Sequence, residues 1–196
     1  MIGRILAICF LFGIISMDDI EAQTDKKATP EKQAVQEYAQ TPVITKGTVT
    51  IKGKSIPYTA TTGYMNITDD NGVVKATMFY VSYVRTDVPS EKRPMTFAFN
   101  GGPGSSSVWL HMGALGPKRV VMTDKGDMTK PPGTMVDNEY SWLEFTDLVF
   151  IDPVGTGYSR PAKDEKKEQF HGLDEDVTSV GTFIRLYTTQ NKRWLS

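Results

Sequence analysis

The stretch Asn100-Gly101-Gly102-Pro103-Gly104-Ser105-Ser106-Ser107 follows directly on the apolar run Met95–Phe99. Three glycines around a proline, at the end of a strand-like segment, hold a backbone in an unusual shape. Three chemistries use such a loop. A phosphate cradle of the P-loop kind needs Lys and then Ser or Thr after its last glycine, but Gly104 is followed by serines alone. A dinucleotide-binding turn needs a third glycine or alanine where Ser107 stands. An oxyanion hole needs backbone N–H groups with no side chain in front of them, fixed in advance and aimed at the charge of a tetrahedral intermediate. Losing one such donor costs about 3 kcal/mol. The residues fit this third chemistry best, with Pro103 stiffening the loop and restricting Gly102 before it. A purely structural turn is the competing reading.

Little else in the chain offers chemistry. Cys9 is the only cysteine and His111 and His171 are the only histidines. A disulfide framework, a thiolate cluster and a metal site with ordinary ligand spacing are all excluded, and no cofactor or metal is expected. Each histidine is expected to be a packing or surface residue. No Gly-x-Ser-x-Gly segment, the strand-to-helix elbow that exposes a nucleophilic serine, occurs anywhere. Ser105, Ser106 and Ser107 are therefore expected to cap and bond the helix that starts there rather than to act as nucleophiles.

Strands must position this loop. The segments GTVTIKG, SIPYTATTGYMNIT and VVKATMFYVSYVR are dense in β-branched and aromatic residues. Asp70-Asn71-Gly72 between the last two marks a hairpin, with positive φ angles expected at the Asn-Gly step. MTFAFN, ending at Asn100, and DLVFID, Asp147 to Asp152, are continuous apolar runs. Both are expected to be strands buried on both faces of a sheet. Each runs into a glycine-rich turn, NGGPGSSS or DPVGTGYS. Ligands bind at the carboxyl ends of strands in open α/β sheets, so these two turns are candidates for one site. Val177, Val180, Phe183, Ile184 and Tyr187 fall on one face of a helix. Asp174 is expected to cap it, and Gly181 to permit close packing on a sheet. The segment from Pro161 to Gly172 reads as a solvated loop.

The N-terminus has a different character. Arg4 precedes the apolar run Ile5–Met17, and Ala22 suits a cleavage site. This is the layout of a secretory signal peptide over residues 1–22, cut near Gln23 or Thr24. The polar stretch 23–45 reads as a solvated leader, and residues 46–196 as the globular part. Export to the periplasm or the extracellular space follows, with no stable membrane association once the signal is removed. A net charge of −1 leaves no nucleic-acid footprint.

Several blocks together resemble the serine carboxypeptidases of peptidase family S10. These are FNGGPGSSSVWLHMGALGP, then NEYSW at Asn138–Trp142, then LVFIDPVGTGYS ending at Ser159. TGYM at Thr62 and MFYVSY at Met78 resemble the strands before them, so the likeness runs from about residue 45 to about residue 190. The resemblance implies an α/β-hydrolase fold, here its N-terminal part: antiparallel β-hairpins leading into parallel strands, with helices. It implies removal of C-terminal residues from peptide substrates through an acyl-enzyme. It makes Gly102 N–H an oxyanion donor, and Asn100 with Gly101 the residues that bind the substrate's terminal carboxylate. A neutral amide suits that task because it can satisfy an anion without a buried cation.

Two departures stand out. The family often has cysteine where Ser105 stands and glutamate where Ala114 stands. The loss of both resembles the cysteine-poor bacterial branch and removes the reason for an acidic pH optimum. The nearest rivals are a proline iminopeptidase or another α/β-hydrolase, with His-Gly-Gly-Pro-Gly where this chain has Asn100, and a non-catalytic exported binding protein that keeps the loop. In this fold the triad follows the oxyanion loop in the order Ser, Asp or Glu, His. Every triad member is thus expected beyond Ser196. The isolated 196-residue chain is expected to lack peptidase activity and to fold poorly, with the Asp147–Asp152 strand as its open edge.

Overall fold

A computed structural model describes residues 41–101, 104–127, 129 and 131–196. The signal peptide and most of the leader lie outside the described residues. The chain enters a mixed sheet earlier than the leader boundary at 45 implies, because strand β1 (Val43–Ile51) already pairs from Val43. β2 (Lys54–Thr68) and β3 (Val74–Arg85) continue it as an antiparallel meander. β4 (Met95–Ala98), short strands β5 (Lys118–Val120) and β6 (Met135–Asp137), β7 (Asp147–Ile151) and β8 (Arg160–Pro161) follow. The main sheet has the order β1-β2-β3-β7-β4, with β8 pairing β3. β7 runs antiparallel to β3 and parallel to β4. β5 and β6 form a separate ribbon.

The β2–β3 turn is built on Asp69 rather than on two positive φ angles. Its carboxylate accepts from Asn71 N and Val73 N, both at 3.0 Å. Gly72 alone adopts φ of +80°, giving a type I turn closed by a glycine bulge. Asn71 keeps an ordinary φ because the Asp69 side chain already supplies the turn's acceptor.

β7 is buried at all five positions. Leu148 and Phe150 face one core with Ile56, Tyr83 and Leu143, while Val149 and Ile151 face another with Met78, Tyr80 and Phe183. This period-two split is what a continuous apolar run means in a strand covered on both sides. β4 differs from the same expectation. It is mostly half-buried, and it is one of the two edges of the described sheet, whereas β7 lies between two neighbours. The open edge expected on β7 therefore falls on β4. An apolar run reveals burial, but not which strand will lie beside it.

One face is covered by α2 (Leu173–Gln190), which packs Val180, Phe183 and Tyr187 onto Tyr80 and Val149. Its N-cap is Gly172, without a side-chain cap bond, and Asp174 sits in the first turn. Val177 is 62 % exposed, whereas Ser179, Val180, Phe183 and Tyr187 further along the helix are buried. Gly181 also faces solvent, and a Cβ there would meet nothing within 4 Å, so it packs against no strand. The segment before α2 is mostly exposed and includes a 3₁₀ turn at Lys167–Phe170 with no buried residue. The other face is covered by α1 (Val108–Leu110), which runs on as a π-helical turn His111–Leu115, and by a 3₁₀ turn at Trp142–Glu144.

A buried ionic cluster closes the end of the sheet away from the glycine-rich turns. Asp147 accepts from Arg93 Nε at 2.9 Å, from Arg193 Nη1 at 2.9 Å and from Arg85 N at 3.1 Å. Arg193 Nη2 also donates to the Arg93 carbonyl at 3.0 Å. The chain's last residues are thereby tied to the start of β7 and to the approach to β4.

Candidate active site

Parallel pairing sets the site. Ala98 on β4 pairs with Phe150 on β7, so Phe99–Gly101 and Asp152–Val154 leave the sheet side by side. A cavity of about 270 Å³ opens there. Asn100 and Gly101 line it from the first turn and Pro153, Val154 and Thr156 from the second. The segment entering α2 completes it with His171, Gly172 and Asp176. The two strand-end turns thus meet in one site, as their sequences suggest. Gly102, the expected oxyanion donor, lies outside the described residues.

Asp152 clamps the two turns together. Its Oδ1 accepts from Ser107 N at 2.8 Å and its Oδ2 from Tyr158 N at 3.1 Å. The Ser159 hydroxyl donates to the Asp152 carbonyl at 2.5 Å and accepts from Phe79 N at 2.8 Å. Ser107 precedes α1 but makes no side-chain cap. Its hydroxyl donates to the Ile151 carbonyl instead. The expectation that Ser107 caps this helix is therefore corrected: it fastens the glycine-rich loop to the end of β7. The reason lies in length, since α1 has a single regular turn and the nearby Ile151 carbonyl needs a donor.

The NEYSW block has a similar fastening role. Asn138 is buried, and its Nδ2 donates to the Ala114 carbonyl at 2.7 Å and the Gly116 carbonyl at 2.8 Å. Ser141 Oγ donates to the Leu115 carbonyl at 2.9 Å. These side chains satisfy carbonyls that the end of the π-helical turn leaves without intrahelical partners. Ala114 itself is exposed.

The histidines separate into two environments. The His111 ring stacks on Phe150 at 4.6 Å and its Nε2 shares a hydrogen bond with the Tyr83 hydroxyl at 2.7 Å. It is a packing residue, as expected. Burial pushes its pKa down to about 4, and burial likewise pushes the Tyr83 hydroxyl up. The sign for stability follows. At intermediate pH the unfolded chain binds a proton that folded His111 refuses, so folding weakens as pH falls from about 6.5 to about 4. The expected loss is about 3 kcal/mol, absent in a His111→Gln variant. Urea titrations at several pH values check this, and a loss of equal size in that variant would assign the effect to other groups.

His171 instead borders the cavity. Three buried side-chain polar atoms lack a hydrogen-bond partner among the described residues: Asn100 Oδ1, His171 Nε2 and Arg119 Nε. Two of the three belong to residues that line this one cavity. Asn100 is legible from the sequence by its place in the loop. His171 is not, because nothing in its neighbourhood distinguishes it from a surface histidine. Among the described residues no group of His, Cys, Asp and Glu could hold a metal ion, and no helix is long and apolar enough to cross a membrane.

The sheet, the paired turns and the cavity agree with the motif order, and the comparisons with known proteins name the class. The chain belongs to the serine carboxypeptidase family, peptidase S10, whose family description matches residues 50–194. The pheromone-processing carboxypeptidase KEX1 of Uncinocarpus reesii is 32% identical over 123 residues, 62% of this chain and 17% of that protein. KEX1 of Saccharomyces cerevisiae is 40% identical over 90 residues, 45% of this chain and 11% of that protein. Serine carboxypeptidase-like 36 of Arabidopsis thaliana is 38% identical over 81 residues, 41% of this chain and 15% of that protein. The matched regions thus span less than a fifth of these relatives' own lengths. The mixed sheet with its few helices is compatible with the α/β fold of this family.

Proposed function

We propose that this chain is the N-terminal part of an exported serine-type carboxypeptidase with an α/β-hydrolase fold. In the reaction a serine Oγ attacks the carbonyl of the C-terminal peptide bond. The terminal amino acid leaves with a proton on its amine, and water then cleaves the acyl-enzyme. Gly102 N–H serves the oxyanion, and Asn100 with Gly101 receives the substrate's terminal carboxylate. The observation that carries this reading is the meeting of both motif turns at one cavity that Asn100 and Gly101 line, the Asn100 Oδ1 having no hydrogen-bond partner among the described residues. A half-turn about its last bond exchanges the oxygen and nitrogen ends, so the same side chain can offer donors to an anion. The Ser, Asp and His of the triad are assigned to residues outside these 196, in keeping with the missing Gly-x-Ser-x-Gly elbow. Residues 1–22 act as a signal peptide and the next twenty or so as a leader. Ser105 and Ala114, at positions where the family often has Cys and Glu, support a place in the cysteine-poor bacterial branch.

The test uses the longest polypeptide that contains this sequence. Release of the C-terminal amino acid from a blocked dipeptide, abolished by serine-directed reagents, is the expected result. Release of an N-terminal proline instead would favour the iminopeptidase reading, and no turnover on either substrate the binding protein. Within that polypeptide, Asn100→Ala should weaken peptides with a free C-terminal carboxylate by about tenfold or more relative to their amides or esters, the scale of one charge-assisted hydrogen bond. Equal losses on both substrate types would contradict the carboxylate-binding role.

A further inference from the structure

A second cavity, of about 240 Å³, lies on the face of the sheet that α1 covers. Phe79 and Val81 of β3, Phe150 of β7, Val108 and Met112 from α1 and its π-helical turn, and Tyr158 from the second motif turn give it an apolar wall. Three polar side chains that also line it are already engaged. Ser107 gives its hydroxyl hydrogen to the Ile151 carbonyl, Asp152 takes the Ser107 and Tyr158 amides, and His111 Nε2 is bonded to the Tyr83 hydroxyl. What remains suits an apolar guest, since a polar one would give up its bonds to water without replacement. Apolar walls around roughly 150 Å³ are enough to hold a benzene ring, so this cavity has room for a phenyl or a branched aliphatic side chain. The Phe79 and Tyr158 rings stand 5.0 Å apart, and a third ring can join them edge-on. Val108 and Tyr158 are exposed, so the cavity opens to solvent and needs no unfolding to fill.

Both motif turns border this cavity as well as the one at Asn100. Pro153 and Thr156 line the first cavity, and their chain neighbours Asp152 and Gly157 line the second. On the glycine-rich side, Asn100 and Gly101 line the first, and Ser106 and Ser107 the second. The roles proposed above fall in that chain order, with the terminal carboxylate at Asn100 and Gly101 and the oxyanion at Gly102. A peptide laid along the loop in this sense continues toward Ser106 with the residue on the acyl side of the scissile bond.

We propose that the second cavity takes the side chain of that acyl-side residue and selects large apolar ones, aromatic or branched. This rests on the carboxypeptidase reading for the identity of the ligand. The experiment uses the longest polypeptide that contains this sequence. The probes are blocked dipeptide analogues with a free C-terminal carboxylate and a ketomethylene group in place of the scissile amide, carrying Phe or Gly on the acyl side. Two readings are taken: the dissociation constants, and the methyl NMR signal that disappears in Met112→Ala. Two variants change the volume in opposite directions. Val108→Trp fills the cavity from an exposed position, and Met112→Ala enlarges it.

The Phe analogue should bind about 10- to 100-fold more tightly than the Gly analogue, the scale of burying one large apolar side chain. Its ring should move the Met112 methyl signal, and the Gly analogue should not. In Val108→Trp the Phe-to-Gly ratio should fall to about threefold or less, and in Met112→Ala a naphthylalanine analogue should bind about threefold or more tighter than the Phe analogue. Equal affinity for the two analogues, a Phe preference with an unmoved Met112 signal, preferences that neither variant changes, or no binding at all would each overturn the proposal. Failure of the broader reading looks different: the analogues bind with this preference and move the Met112 signal, while cleavable peptides are not turned over. Turnover at equal rates with Phe or Gly on the acyl side, with the Met112 signal unmoved, sinks this inference and leaves that reading standing.

Discussion

Replacing Asp147 by alanine is expected to destabilise the fold by about 3–5 kcal/mol, the cost of leaving buried charge without its partner. Asp147 is fully buried, and the Arg93 and Arg193 side chains are 6 % and 5 % exposed. Their guanidinium groups are satisfied as a unit: Arg93 Nη2 donates to the Leu143 carbonyl at 2.8 Å, and Arg193 to the Arg93 carbonyl. Removing the carboxylate leaves two desolvated cations within one cluster and strips Arg85 N of its acceptor. The midpoint of thermal unfolding should fall by roughly 6–20 °C for a domain of this size. A triple variant, with Asp147→Ala, Arg93→Met and Arg193→Met together, should recover much of the loss, because the charges themselves are then gone. Urea unfolding of the parent and the two variants decides the matter. A loss under about 1 kcal/mol in the single variant would mean the cluster is hydrated and the pairing contributes little.

Local pattern carries the strands and the two turns, because both depend on residues close together in sequence. The β-branched density of β2 and β3 and the unbroken apolar run of β7 each describe one segment's own surroundings. The glycine-rich turns are legible for the same reason: Asn100–Gly104 and Pro153–Gly157 sit directly after apolar runs. What escapes the sequence depends on distant partners. β4 reads as interior because its composition is apolar, but which strand lies beside it is not written there: among the described residues it pairs with β7 alone, and β7 lies between β3 and β4. Val177 has the right helical spacing but is exposed, and burial along the helix begins only at Ser179. Arg93, Asp147 and Arg193 come together from widely separated positions, and nothing around them announces an ionic cluster. Ser107 is legible as a polar loop residue, but its target on β7 is not. Asp152 closes the same gap from the other side, and its two bonds fix how the motif turns stand to one another.

Gly157→Ala is expected to break that clamp. At Gly157 the backbone φ is +44°, a conformation strained for any residue with a Cβ. The added carbon would stand 1.8 Å from Asp152 Oδ2, 2.5 Å from its Cγ and 2.9 Å from Ser106 Cβ. The Asp152 carboxylate cannot yield without giving up Tyr158 N and Ser107 N, its two backbone donors. Strain, two broken charge-assisted bonds and the displaced Ser106 act together, so a loss of about 3 kcal/mol or more is expected. The damage is directional as well. Both turns that line the cavity hang from this carboxylate, so a polypeptide that turns over peptides should lose at least roughly 100-fold in kcat/KM, since small misplacements at a reacting site carry penalties of that order. Gly181→Ala is the matched control: no Cβ contact lies within 4 Å, the site faces solvent on α2, and alanine should stabilise by about 0.5–1 kcal/mol. Urea unfolding measures both variants, and backbone amide signals of Ser107 and Tyr158 report on the clamp directly. If Gly157→Ala unfolds at the parent's midpoint with those two signals unmoved, Asp152 does not hold the turns together and the clamp must be assigned elsewhere.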